Sequence, residues 1–89
     1  MLSQDYLNTI YSYDPETGVL INKKTGKSVG SHDHFGYLRM YMSRKKVSVA
    51  RVIWKMIHSK FNEKMVVRRL NGVKDDNRLS NLELAPTTR

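Results

Sequence analysis

The stretch that most limits what this chain can fold into runs from residue 66 to residue 83, VVRRLNGVKDDNRLSNLE. Val66 and Val67 start a short apolar strand, since β-branched side chains suit a pleated, half-buried surface. A polar loop comes next. Asn71-Gly72 and Asn77 carry the residue types that turns require. Asp76 is placed to close the loop or to cap the next element. Leu79 and Leu82 then read as one face of a short capped helix. A strand, a tied loop and a short helix leave few architectures open.

The chain ahead of this stretch divides in two. Residues 1–13 make a helical or extended lead-in, with Leu2, Tyr6, Leu7, Ile10 and Tyr11 near helical spacing and one buried face. Asp14-Pro15-Glu16-Thr17-Gly18 is a turn, because Pro presets one backbone angle and Gly accepts the left-handed one. Residues 19–22 form a strand, 23–27 a second turn, and 28–30 lead out of it. Residues 37–42 alternate as a strand, 43–46 make a basic hairpin turn, and 47–50 return as the paired strand with Val47 and Val49 on one face. Residues 11–50 are thus expected to form one small antiparallel sheet.

Residues 51–61 read as a helix with Val52, Ile53, Met56 and Ile57 as its apolar stripe. Lys55, His58 and Ser59 lie away from that stripe, His58 serves as a helix-end cap, and Trp54 packs into the core. Residues 62–64 close the helix, and 87–89 are a loose end. The expected class is α+β: a small antiparallel sheet packed on a helix, then a hairpin and a short helix. One domain, 1–89, contains a three-stranded sheet plus helix over 11–61 and the hairpin over 62–89.

Charge narrows the partner. Sixteen Lys and Arg face eight Asp and Glu, a formal net charge of +8. Residues 36–62 contain no acid, yet hold Arg39, Arg44, Lys45, Lys46, Arg51, Lys55 and Lys60. Such segregation attracts polyanions through steering and counterion release. There is no cysteine, so disulfides and thiolate metal sites are excluded. No apolar run approaches the roughly 20 residues that cross a bilayer. A membrane partner and a secretory leader are not expected, and a cytoplasmic location is.

The 66–83 stretch resembles the core of HNH-type nucleases, the ββα-metal hairpin of phage and homing endonucleases. Leu70-Asn71-Gly72, Asp76-Asn77-Arg78 and Asn81-Leu82 fall in register with that pattern. The histidine that ends the family's strand is replaced by Arg69. A second resemblance covers residues 36–42, the basic turn and 49–54. It is to the three-stranded sheet plus helix of plant ethylene-response-factor DNA-binding domains, an arrangement that precedes the HNH core in many phage nucleases. Tyr13-Asp14-Pro15-Glu16-Thr17-Gly18-Val19-Leu20 matches the same phage pattern. Together the two span about residues 11–84. The second pattern also carries a histidine, where this chain has Ala50.

Those two losses decide the chemistry the resemblance implies. An HNH nuclease needs a neutral imidazole to take a proton from water. Arginine does not deprotonate in proteins, and alanine offers no functional group. Asn81, a neutral amide oxygen, is the weak remaining metal candidate, whereas Mg²⁺ prefers carboxylate and phosphate oxygens. Arginine is instead well shaped to hold phosphate, often through two parallel bonds.

The expected function is therefore a catalytically inactive, phage-encoded, HNH-like protein that binds DNA or another polyanionic surface. Arg39, Tyr41, Arg44, Lys45 and Lys46 would present the sheet to nucleic acid. Arg51, Lys55, Arg68, Arg69, Lys74 and Arg78 would hold the backbone. Asn77 and Asn81 are retained family positions with loop-bracing roles, and no cofactor is expected. One alternative is an inhibitor of a host nucleic-acid-processing or defence complex, of the anti-CRISPR or anti-restriction kind. Another is a Mg²⁺-dependent HNH endonuclease carrying inactivating substitutions at Ala50 and Arg69. His32 and His34 share the i, i+2 spacing of a strand face but read as a solvated turn, distant in sequence from the hairpin.

Overall fold

The computed structural model describes residues 3–42, 44–58 and 65–86. Its elements run α1 (Gln4–Ile10), β1 (Tyr11–Asp14), β2 (Val19–Asn22), β3 (Ser31–His32), β4 (Leu38–Met42), β5 (Lys45–Ser48), α2 (Val49–Ile57), β6 (Met65–Arg69), a 3-10 turn at Leu79–Asn81, and β7 (Leu82–Pro86). The class is α+β, as the sequence indicates.

The expected continuous sheet over 11–50 is instead two sheets. β1 and β2 form an antiparallel hairpin, and β3-β4-β5 form a separate three-stranded sheet. The division falls at 23–30. Gly26 N donates to Asn22 O, and Val29 N returns to Leu20 O, so this segment folds back on its own hairpin. β3 is only two residues long, too short to leave a periodic trace in the sequence.

α2 is the centre of the core. Val49, Ala50, Val52, Ile53 and Met56 are buried on it, against Leu7 of α1, Leu20 of β2, Met40 of β4, Val67 of β6 and Leu82 of β7. Full burial of one such aliphatic side chain contributes about 1.5–3 kcal/mol. The helix starts earlier than its stripe suggested. Val49 and Ala50, expected in a strand, form its first turn, while Ile57 is exposed. The buried set 49, 52, 53 and 56 is the i, i+3, i+4, i+7 pattern of one helix face.

α1 is a short helix capped by Ser3, whose hydroxyl accepts from Tyr6 N. It buries Leu7, while Tyr6, expected on the buried face, is half exposed. The side-chain amides of Gln4 and Asn8 both donate to Met56 O, at 3.0 and 3.2 Å. A carbonyl in the last turn of a helix has no partner within it, and these two amides supply one. At the same end His58 donates its N–H to Trp54 O at 2.8 Å, the expected cap, and its ring lies 4.3 Å from the Trp54 ring. The expected helix end over 59–61, its closing residues 62–64 and the loose end 87–89 lie outside the described residues.

The short helix predicted around Leu79 and Leu82 is corrected. Three residues make a 3-10 turn, and Leu82 opens β7. β7 pairs antiparallel with β6, from Met65 opposite Pro86 to Arg69 opposite Leu82. The 70–81 segment is therefore the loop of a hairpin rather than a link from a strand to a helix.

Candidate nucleic-acid interface

A groove of about 460 Å³ opens where the three-stranded sheet, the start of α2 and the β6–β7 hairpin meet. Five of its lining residues are cations: Arg39, Arg51, Arg68, Arg69 and Lys74. Tyr37, Ser48, Val66, Val67 and Gly72 complete the wall. Among the described residues no acid lines it, and neither does a histidine.

Arg69 ends β6 at the middle of this wall. Its guanidinium carbon lies 4.9 Å from the centre of the Tyr37 ring, and Lys74 Nζ lies 5.3 Å from the same ring. An aromatic face attracts cations by its quadrupole, so one ring holds two like charges side by side. Partial burial pushes the Arg69 guanidinium below its ordinary pKa. A hydrogen bond and charge contact with Tyr37 oppose that shift, and the neighbouring charge of Arg39 adds to it. The group stays cationic at any physiological pH. Tyr37 was missed by sequence reasoning. The signal, an aromatic between Gly36 and a basic strand, carries no hint of what stands across from it.

The other expected binding residues divide. Arg39 reaches the groove but is also paired with Asp33, Nε to Oδ2 at 3.0 Å. Burial alone would raise the Asp33 pKa. The bond from Arg39 and those from the Phe35 and Tyr37 amides outweigh it and hold the carboxyl below its usual range. Arg68 is exposed, with Glu83 opposite it on β7 at 3.9 Å. Tyr41 and Lys46 are cross-strand partners, as are Arg39 and Ser48, so these four share the outer face of the sheet. That face runs continuously into the groove. Lys45 pairs with Met42 at the far end of the sheet, Arg44 sits in the turn at φ 66°, and Lys55 is half-buried on α2. These three, with Arg78, do not line the groove.

The loop beneath the groove is tied by side chains. Asn81 is buried; its Oδ1 accepts from Asn71 N at 3.0 Å, and its Nδ2 donates to Asn71 Oδ1 and Asp76 O, both at 2.9 Å. Asn71 Oδ1 also accepts from Val73 N, and Asn71 Nδ2 donates to Asp76 Oδ2 at 2.8 Å. Asp76 accepts two parallel bonds from Arg78, each 2.8 Å. The Arg78 and Asn71 bonds hold the Asp76 carboxyl well below the usual carboxylate range, and Asp76 raises the Arg78 guanidinium in return. The expected loop-closing role of Asp76 and Asn71-Gly72 is what the geometry has. Arg78, expected on phosphate, spends its fork on Asp76.

The β1–β2 turn braces this loop from behind. Leu79 N donates to Pro15 O at 3.0 Å, and the Tyr13 hydroxyl donates to Asn77 O. Gly18, at φ 77°, packs so closely that a Cβ there would sit 2.5 Å from the backbone of Asn77 and Arg78. Asn77 is 1% exposed, and its Oδ1 has no partner among the described residues. Desolvation, then the charges of Asp14 and Asp76, push the Tyr13 hydroxyl up to about 12.

The two positions that carry histidine in the resembled families separate here. Arg69 is in the groove wall, whereas Ala50 is 2% exposed in the core and does not line it. Its neighbour Arg51 does. His32, read as part of a solvated turn far in sequence from the hairpin, reaches it: Nε2 lies 2.9 Å from Asp75 Oδ2. His34 stays in the turn beyond β3, as expected.

The donor set of the groove does not fit the divalent cation that HNH chemistry implies. Among the described residues its wall offers five positive charges, no carboxylate and no imidazole. The Asn81 oxygen is engaged with Asn71 N. No group of three or more His, Cys, Asp or Glu that could hold a metal occurs among the described residues.

Comparison with known proteins agrees with this architecture. Residues 47–89 match the HNH endonuclease family model. The solved structure of the HNH homing endonuclease I-HmuI, studied for its DNA binding and cleavage, is similar with a TM-score of 0.70 at 23% identity. The likeness covers 96% of this chain and 51% of that one, so the chain spans about half the length of that enzyme. No curated protein sequence matches the chain.

Proposed function

From an HNH-type fold whose groove wall is cationic, we propose that this chain grips the backbone of nucleic acid and does not hydrolyse it. The observation that carries this reading is the groove lining: among the described residues it has five cations, no acid and no imidazole. Arg69, Lys74 and Arg51 are positioned to meet phosphate oxygens, and Tyr37 keeps two of those charges together before a ligand arrives. Pre-organisation of this kind lowers the entropy lost on binding. The outer sheet face with Arg39, Tyr41 and Lys46 extends the same surface.

Hydrolysis lacks its parts. A general base must accept a proton near neutral pH, and Arg69 cannot. Its fixed charge would also repel a divalent cation placed beside it. A phosphate seated here is held by charge-assisted bonds, with no described residue of the wall able to activate water. I-HmuI binds and cleaves DNA, which makes DNA the first polyanion to test.

The experiment has two arms. In gel shift or anisotropy against duplex DNA, binding is expected at low salt and should weaken steeply as salt rises. In plasmid nicking with Mg²⁺ or Mn²⁺, no cleavage is expected; robust metal-dependent nicking overturns the reading. Absence of any DNA complex at low salt, with a host protein retained from nuclease-treated lysate instead, would favour the inhibitor of a host complex.

A further inference from the structure

Residues 33–36 form a turn between β3 and β4 that is built more firmly than a surface turn needs. Asp33 Oδ1 accepts from Phe35 N at 2.8 Å and Tyr37 N at 3.1 Å, while Oδ2 accepts from Arg39 Nε at 3.0 Å. Asp33 N donates to Tyr37 O at 2.9 Å, and Gly36 N to Asp33 O at 3.2 Å. Asp33 thus fixes the backbone on both sides of Phe35. The Phe35 side chain itself stays 68% exposed, its ring edge-on to His34 at 6.3 Å between centres.

An exposed phenylalanine alone means little. Its setting is what matters. Phe35 lines a second depression with His32, Asp33, His34, Arg39 and Lys46, and Arg39, though paired with Asp33, also lines the phosphate groove. The turn touches the groove's other side too, since a Cβ on Gly36 would lie 3.8 Å from Lys74 Cδ. An exposed aromatic ring on a backbone-braced turn therefore stands beside a cationic groove, with Arg39 and Lys46 on one side of the turn and Lys74 on the other. Phosphate cannot use an aromatic face, whereas a nucleobase can.

We propose that Phe35 stacks on the face of an unpaired nucleobase while the adjoining groove holds the neighbouring phosphates. The proposal rests on the phosphate-gripping reading above and adds a preference to it. Nucleic acid in which a base is already unpaired should bind better than intact duplex of equal length and charge, because no stacking or pairing must first be broken. Base–aromatic stacking of ordinary strength makes that preference between about fivefold and a hundredfold.

The test uses the full chain and two duplexes of one length, one fully paired and one with a single bulged 2-aminopurine. Anisotropy gives both affinities, and 2-aminopurine fluorescence reports stacking. The wild type is expected to prefer the bulged duplex and to quench its fluorescence. Phe35→Ala should abolish both effects while leaving paired-duplex affinity and its salt dependence unchanged. Phe35→Trp should retain both effects. Arg69→Gln should weaken both complexes about equally and keep the preference. The proposal is overturned if the wild type binds both duplexes equally, or if Phe35→Ala keeps the preference. It is also overturned if that variant weakens the two complexes alike, since the ring would then serve something other than a base. If the wild type binds neither duplex at low salt, the phosphate-gripping reading falls with it.

Discussion

Arg69 precedes the 70–81 hairpin loop and Arg78 lies within it, and their surroundings are opposite. Arg78 faces Asp76, to which it makes two parallel bonds, in a loop closed by Asn71 and Asn81. Arg69 packs on Tyr37 beside Lys74 in an open groove whose described lining has no acid. The first arrangement pairs an exposed cation with a carboxylate of its own loop. The second leaves a half-buried cation beside an aromatic ring and a like charge, at the wall of the groove. Counting basic residues cannot separate the two, although only the second leaves charge for a polyanion.

The largest effect should come from breaking the brace behind the closed end. Gly18→Val places side-chain atoms where the backbone of Asn77 and Arg78 already lies, at a positive φ that valine resists. A loss of about 3 kcal/mol or more is expected, read as a melting temperature lower by roughly 15 °C. If the variant melts with the wild type, the β1–β2 turn does not support the loop.

Asn81→Ala should come next. It removes three bonds and leaves the Asn71 amide without its acceptor, a cost of about 2–4 kcal/mol in chemical denaturation. A cost under 1 kcal/mol would mean that water replaces the latch. DNA affinity measured well below the transition should change less than it does for Arg69→Gln, which alters the open end directly.

The pH dependence sharpens the same contrast, because the closed end holds shifted groups at both extremes. The folded pKa of Asp76 lies below its unfolded value near 3.9. Its contribution is present above that value and is lost as pH falls toward the folded pKa. Asp76→Asn should therefore flatten the acid limb of a stability curve below about pH 4. The Tyr13 hydroxyl is shifted the other way, to about 12 from an unfolded value of 10.0. Its contribution is complete below pH 10 and is lost as pH rises through 12. Tyr13→Phe should flatten the alkaline limb in that window. Unchanged limbs in both variants would argue that these bonds do not form in solution.

The loop was legible in the sequence because its chemistry is local. Asn71, Gly72 and Asp76 act on residues within ten positions of themselves, so turn preferences point to them. The strand beyond the loop was not legible. Leu79 and Leu82 have helical spacing, but the pairing of β7 with β6 joins residues 13 to 21 positions apart and leaves no mark on either. The start of α2 failed for a related reason. Val47-Ser48-Val49 alternates like a strand, and only the burial of Val49 in the core with Val52, Ile53 and Met56 reveals that it belongs to the helix stripe. In the groove, Arg51, Arg68, Arg69 and Lys74 were identified by charge. Tyr37 was not, since its role consists in what reaches it from the far end of the chain.

The most direct test of the account is the salt dependence of duplex DNA binding for the wild type, Arg69→Gln and Arg78→Gln, measured side by side. A groove that meets phosphate with Arg69 predicts that Arg69→Gln lowers affinity roughly tenfold and reduces the slope of log K against log salt by about 1. Arg78→Gln should leave that slope unchanged. Equal slopes for the wild type and Arg69→Gln, or a larger effect from Arg78→Gln, would contradict it.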